Sequence, residues 1–100
     1  MLALLGILVL ISSCGQSQSP AIDASALYEA NCVACHGANR QGISELGPTL
    51  TPQSLADLSD TAIRDTISSG RLGTAMTGFK SRLNQDEIGA LVRLIKHISP

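Results

Sequence analysis

Toward the end of the chain, Ile88, Leu91, Val92, Ile95 and Ile98 recur at three- and four-residue intervals, the single apolar stripe of an amphipathic helix. Asn84 and Glu87 stand as cap and third helical residue, a variant of the capping box, so this helix is predicted to begin just after Asn84. Farther back, Ser59 caps a predicted helix over "DTAIRDTISS", which Gly70 ends. Thr51 followed by Pro52 predicts a short helix running through Leu58. Asp23 caps another through "ASALYEANC", with Leu27 and Tyr28 as its apolar edge. Between these elements, "HGANRQGISELGPTL" and "RLGTAMTGFKSRL" carry glycines and no sustained period, and are predicted loops. No stretch alternates with period two for long enough to make a strand. The expected fold class is all-α, with about four to five short helices.

The start of the chain follows a different pattern. Residues 1 to 11 are uncharged and almost wholly apolar, too short for the roughly 20 residues of a spanning helix but of a length suited to a signal-peptide core. The run ends in "ISSC", which resembles the lipobox of bacterial lipoprotein precursors, although no Lys or Arg precedes it and the true start could lie upstream. That resemblance implies a lipoprotein-type signal peptide over 1–13 and lipidation of Cys14. Residues 15 to 22, "GQSQSPAI", are small and polar and read as a tether, reaching at most about 28 Å when extended. The expected organisation is a leader over 1–13, a lipidated cysteine and tether over 14–22, and one folded domain over 23–100. The expected location is the envelope of a bacterium, on the periplasmic or extracytoplasmic face, with a membrane reached through the lipid.

Composition raises a question of stability. Past the leader there is no Trp, one Tyr (Tyr28) and one Phe (Phe79). About 80 residues are near the low limit for a self-supporting core, so a buried planar cofactor is one way to complete it. The formal charge of −1 with a pI of about 6.0 argues against nucleic acid as a partner. Charge is unevenly placed: before residue 66 there are six acids and two bases, beyond it two acids and five bases. Such a dipole orients a protein partner on encounter, or is the scatter of a solvated surface.

The chemistry concentrates in "NCVACHGANR", where Cys32 and Cys35 lie three apart and His36 follows directly. Four uses compete. A structural zinc site needs four ligands, and adjacent Cys35 and His36 point in different directions on a helix. A thioredoxin-like dithiol wants a strand-then-helix context that is lacking here. A plain disulfide leaves His36 unused. Covalent haem uses all three: two thiols one turn apart form thioethers with one porphyrin, and the next imidazole reaches the iron. With Cys14 on lipid, the cysteine tally then closes.

From Asp23 onward the chain resembles a small monohaem cytochrome c of the bacterial, class I type. "ALYEANCVACHGANRQG" is similar to that family's first helix and haem-binding segment, "LGPTL" to its Gly-Pro-x-Leu loop, "GTAMTGF" to its methionine loop, and "LNQDEIGALVRLIKHI" to its last helix. The resemblance implies a cytochrome c fold wrapped around one covalently bound haem c. Met76 becomes the only methionine once Met1 leaves with the leader; elimination and resemblance together assign it to the iron face opposite His36. The resemblance further implies that the Pro48 carbonyl holds the other nitrogen of the His36 imidazole and that Leu50 presses on the haem. Ala24 and Leu94 depart from the family's usual glycine and aromatic at the crossing of first and last helices. His97 falls on the polar side of the last helix and is expected to be a surface residue.

The function implied is one-electron transfer between membrane-associated or periplasmic redox proteins that dock transiently, by a monomeric carrier rather than an enzyme. Two alternatives remain at this point: a haem peroxidase or gas-binding sensor with an open iron position, and the cytochrome subunit of a larger oxidoreductase.

Overall fold

The computed structural model describes Gly6 and residues 21–100; the rest of the leader, Cys14 and nearly all of the tether lie outside the described residues. Four helices follow in order: α1 (Ala24–Asn31), α2 (Val33–His36), α3 (Asp60–Ser69) and α4 (Gln85–His97). Their starts are set by side chains that accept otherwise unpaired N–H groups. Asp23 accepts from Ala26 at 3.0 Å, Ser59 from Ala62 at 3.0 Å, and Asn84 from Glu87 at 2.8 Å. Glu87 in turn accepts from the Asn84 backbone at 3.0 Å, completing the capping box.

Helix α4 is the centre of the molecule, with α1 and α3 both packed on it. Its stripe buries Ile88, Leu91, Val92 and Ile95 against Tyr28 of α1, Ile63 and Ile67 of α3, and Phe79 and Leu83 of the preceding loop. Ala24 and Leu94, at the α1–α4 crossing, are half-buried, and Leu94 packs on the core. The predicted stripe overruns by one residue. Ile98 is the C-cap with extended backbone and is 53% exposed, because the helix has ended before its side chain can turn inward.

The helix predicted over 52–58 is instead a run of turns. Only Leu55 closes an α-type bond, to Thr51 at 3.0 Å, while Leu58 bonds back three residues to Leu55. The Ser54 hydroxyl accepts from the Thr51 N–H at 2.9 Å and donates to the Thr49 carbonyl at 2.7 Å. A hydroxyl that offers the backbone local partners competes with a helix too short to overcome its nucleation cost. Among the described residues the only β pairing is two isolated bridges, Ile43 with Gly47 and Gly70 with Thr77, so the all-α expectation stands. No helix among them is long and apolar enough to cross a membrane.

Candidate functional site

Helix α1 stops at Cys32, whose backbone (φ −121°, ψ −27°) leaves the helical region before α2 begins. The single turn of α2 then carries Cys35 and His36, with the His36 and Gly37 amides bonded to the carbonyls of Cys32 and Val33 at 2.9 Å each. Cys32 and Cys35 are free, half-buried thiols. Burial foremost, and then the neighbouring Cys35, push the Cys32 thiol up to about 11. No cluster of three or more His, Cys, Asp or Glu among the described residues comes together to hold a metal ion.

His36 is buried, and its Nδ1 lies 2.8 Å from the Pro48 carbonyl. A carbonyl only accepts, so Nδ1 carries the proton and Nε2 keeps a free lone pair. The ring lies close against the chain at Gly47. A Cβ there would fall 2.6 Å from the Cys35 carbonyl and 2.9 Å from two ring atoms of His36, so only glycine lets the loop come this close. The Gly42 amide also donates to the His36 carbonyl at 2.7 Å, tying both ends of the 42–48 loop to the histidine.

Met76 comes from the loop after α3. Gly70, at φ +76°, turns the chain out of the helix where a Cβ would meet the Met76 carbonyl at 2.6 Å. The Arg71 amide donates to that same carbonyl at 3.1 Å, and the Thr74 hydroxyl accepts from the Met76 amide at 3.2 Å. Phe79 and Lys80 return the chain to α3 through bonds to the carbonyls of Ile67 and Ser68. The methionine therefore sits on a braced loop, half-buried and in contact with the core.

His36, Pro48, Leu50 and Met76 share one cavity of about 1160 Å³, walled elsewhere by Leu55, Ile63 and Ile67. Such a volume exceeds that of ordinary small-molecule pockets, roughly 300–1,000 Å³. Glu45 and Arg71 are the only carboxylate- or guanidinium-bearing residues on its wall, and both are exposed. An imidazole and a thioether on the lining of one large, mostly apolar space suit an iron porphyrin by their chemistry. Cys32 and Cys35 do not line this cavity; they stand beside it, on the segment that delivers His36. His97 is remote from it, at the end of α4, with Nε2 3.0 Å from the Asp60 carboxylate.

Two residues organise the site through hydrogen bonds that the sequence does not announce. The Tyr28 hydroxyl donates to the Gly37 carbonyl at 2.7 Å, and burial foremost pushes its pKa up to about 12, so it stays a neutral donor. Arg40 is buried, with its guanidinium donating to the Leu94 carbonyl at 2.7 Å and, at 3.4 Å, to that of Leu50. Tyr28 reads from the sequence only as part of the apolar edge of α1, and Arg40 as a loop residue; the folded chain alone brings their polar ends to these acceptors.

Comparison with known proteins places this geometry in context. Residues 20–95 match the family described as cytochrome c oxidase, cbb3-type, subunit III. The chain is 44% identical over 75 residues to dihydro-heme d1 dehydrogenase of Pseudomonas aeruginosa, covering 75% of this chain and 15% of that protein. It is 39% identical over 62 residues to cytochrome c55X of Stutzerimonas stutzeri, covering 62% of this chain and 53% of the relative. Among solved structures, the c-type cytochrome NirC superposes with a TM-score of 0.69 at 32% identity, over 77% of this chain and 91% of that one. The chain thus spans 15% and 53% of those two curated relatives, a domain's length rather than the whole.

Proposed function

The chain belongs to the c-type cytochrome family described as cytochrome c oxidase, cbb3-type, subunit III, and from that membership we propose that it is a one-electron carrier rather than an enzyme. The family implies a c-type haem as cofactor. In this reading Cys32 and Cys35 would hold the haem through thioethers, His36 Nε2 and the Met76 sulfur would ligate its iron, Pro48 would fix the imidazole and Leu50 would pack against the macrocycle. The observation that carries it is the single cavity that both His36, its Nδ1 held by the Pro48 carbonyl, and Met76 line.

Bound haem supplies a one-electron couple, and a His/Met ligand pair favours the ferrous state relative to harder ligands. The polypeptide holds the donors and keeps water away. Pro48 O locks the His36 tautomer, so the ring neither rotates nor exchanges its proton with a ligand site. Thr74 and Arg71 brace the backbone on both sides of Met76, so the sulfur need not reposition when the charge at the centre changes. Leu55, Ile63 and Ile67 provide a low-polarity wall. The exposed side chains of Ile43, Leu46 and Leu58, which line the mouth of the same cavity, leave an apolar edge for brief docking of redox proteins. Lipidation at Cys14 and residence on the extracytoplasmic face of a bacterial membrane belong to the same reading; they rest on the leader pattern and the family.

Carbon monoxide tests it. The reduced native protein is expected to resist carbon monoxide, and Met76→Ala to bind it readily with a lowered potential. Rapid binding by the unaltered protein would instead indicate a peroxidase or gas sensor. A second reading has its own support: the similar segment is 15% of dihydro-heme d1 dehydrogenase and 23% of the FixP subunit of a cbb3-type cytochrome c oxidase. In it the chain carries electrons as the cytochrome part of a larger oxidoreductase. Gentle purification and light scattering distinguish a monomer from a stable assembly.

A further inference from the structure

Arg40 is the only Arg, Lys, Asp or Glu among the buried residues described, at 5% exposure. Its backbone is left-handed, φ +60°, a conformation in which glycine is unstrained and arginine is not. Something in the side chain must offset that strain. The guanidinium reaches the Leu94 carbonyl in the last turn of α4 and the Leu50 carbonyl on the cavity wall, while the Arg40 carbonyl accepts from the Leu50 amide at 2.9 Å. Arg40 is therefore bonded to Leu50, a residue of the cavity that His36 and Met76 also line.

Among the described residues the charge there has no carboxylate partner. The ion pairs among the described residues are those of Asp60 with Lys96 and His97. What opposes the guanidinium is the negative end of the α4 dipole, equivalent to roughly half a unit charge spread over the last turn, so a net positive field remains. A fixed cation behind a redox centre disfavours the oxidised form, which carries one more positive charge than the reduced form.

Resting on the haem reading above, we propose that Arg40 tunes the redox centre: its buried, unpaired guanidinium raises the reduction potential while clamping the Leu50 segment to α4. Two roles are thereby separated by chemistry. The clamp depends on the forked geometry of arginine, the potential on charge alone. Arg40→Lys keeps the charge and loses the fork, whereas Arg40→Gln loses both.

The test is a spectroelectrochemical titration of the holoprotein together with its thermal unfolding. Arg40→Gln is expected to shift the ferric-to-ferrous ratio at fixed ambient potential toward ferric, on the order of tenfold. Arg40→Lys is expected to unfold at lower temperature yet hold a near-native potential. A wild-type potential in Arg40→Gln with an intact haem spectrum overturns the proposal and leaves the carrier function standing. A colourless wild-type protein would instead remove the haem reading beneath it. Should Arg40→Gln fail to fold, Ala38→Glu takes its place. Ala38 is exposed on a second cavity that Arg40 also lines, so a carboxylate there places a negative charge in the cavity beside Arg40 while every haem-binding residue is kept. A fall in potential supports the proposal, and no change overturns it.

Discussion

On one side of the molecule Ile88, Leu91 and Val92 of α4 are buried to within 2% of full enclosure; on the other, Leu46 and Leu58 at the cavity mouth are about half exposed. The helical side is held by apolar contact among α1, α3 and α4. The loop side, residues 37–58 and 70–78, is held by hydrogen bonds: Tyr28 to Gly37, His36 to Pro48, Arg40 to Leu50 and Leu94, Thr74 to Met76. Apolar packing is insensitive to orientation and gives stability, whereas hydrogen bonds fix directions. The donor atoms for a cofactor sit on the side where direction is specified.

Substitutions on the two sides should therefore fail in different ways. Leu91→Ala removes a nearly fully buried side chain and is expected to cost about 2–5 kcal/mol in denaturant unfolding of the holoprotein. Its haem spectrum and potential should stay native. Gly47→Ala is expected to cost less, about 1–3 kcal/mol, but to perturb the spectrum. The added methyl meets the Cys35 carbonyl and the His36 ring, so the ring must tilt away from Pro48. If Leu91→Ala altered the spectrum as strongly as Gly47→Ala, the division between the two sides would be lost.

The smallest expected effect lies on the surface joining α3 to α4. The exposed Asp60 carboxyl is held below its ordinary value of 3.8 by its hydrogen bond with His97 first and Lys96 second. A group depressed on folding lends stability above its unfolded pKa and loses it as pH falls through the lower folded value. The unfolding midpoint should thus fall in that acid window, slightly less steeply in Asp60→Asn than in the native protein. Parallel acid limbs for the two would show that Asp60 is not linked to folding.

The same division governs what could be foreseen. Helices α1, α3 and α4 were legible from Asp23, Ser59 and Asn84 as caps and from the stripe Ile88–Ile95, because caps and period are local properties. The stretch 52–58 was misread because its fate depends on which carbonyl Ser54 reaches, and Thr49 is as near as the helix. On the loop side, "NCVACH", "LGPTL" and the lone Met76 pointed to the chemistry. What stayed hidden was the reason for Gly47, which lies in the Cys35 carbonyl and the His36 ring, twelve and eleven positions back in the chain, and the buried Arg40, whose acceptor Leu94 is distant in sequence. Long-range hydrogen bonds leave no periodic trace.

Peptide mapping by mass spectrometry of protein purified from its native host, after denaturation without reduction, bears most directly on the central claim. The expected result is one haem mass carried on the fragment containing Cys32, Cys35 and His36. Recovery of that fragment without haem, its thiols free or joined to each other, would contradict a cavity built around a covalently held porphyrin.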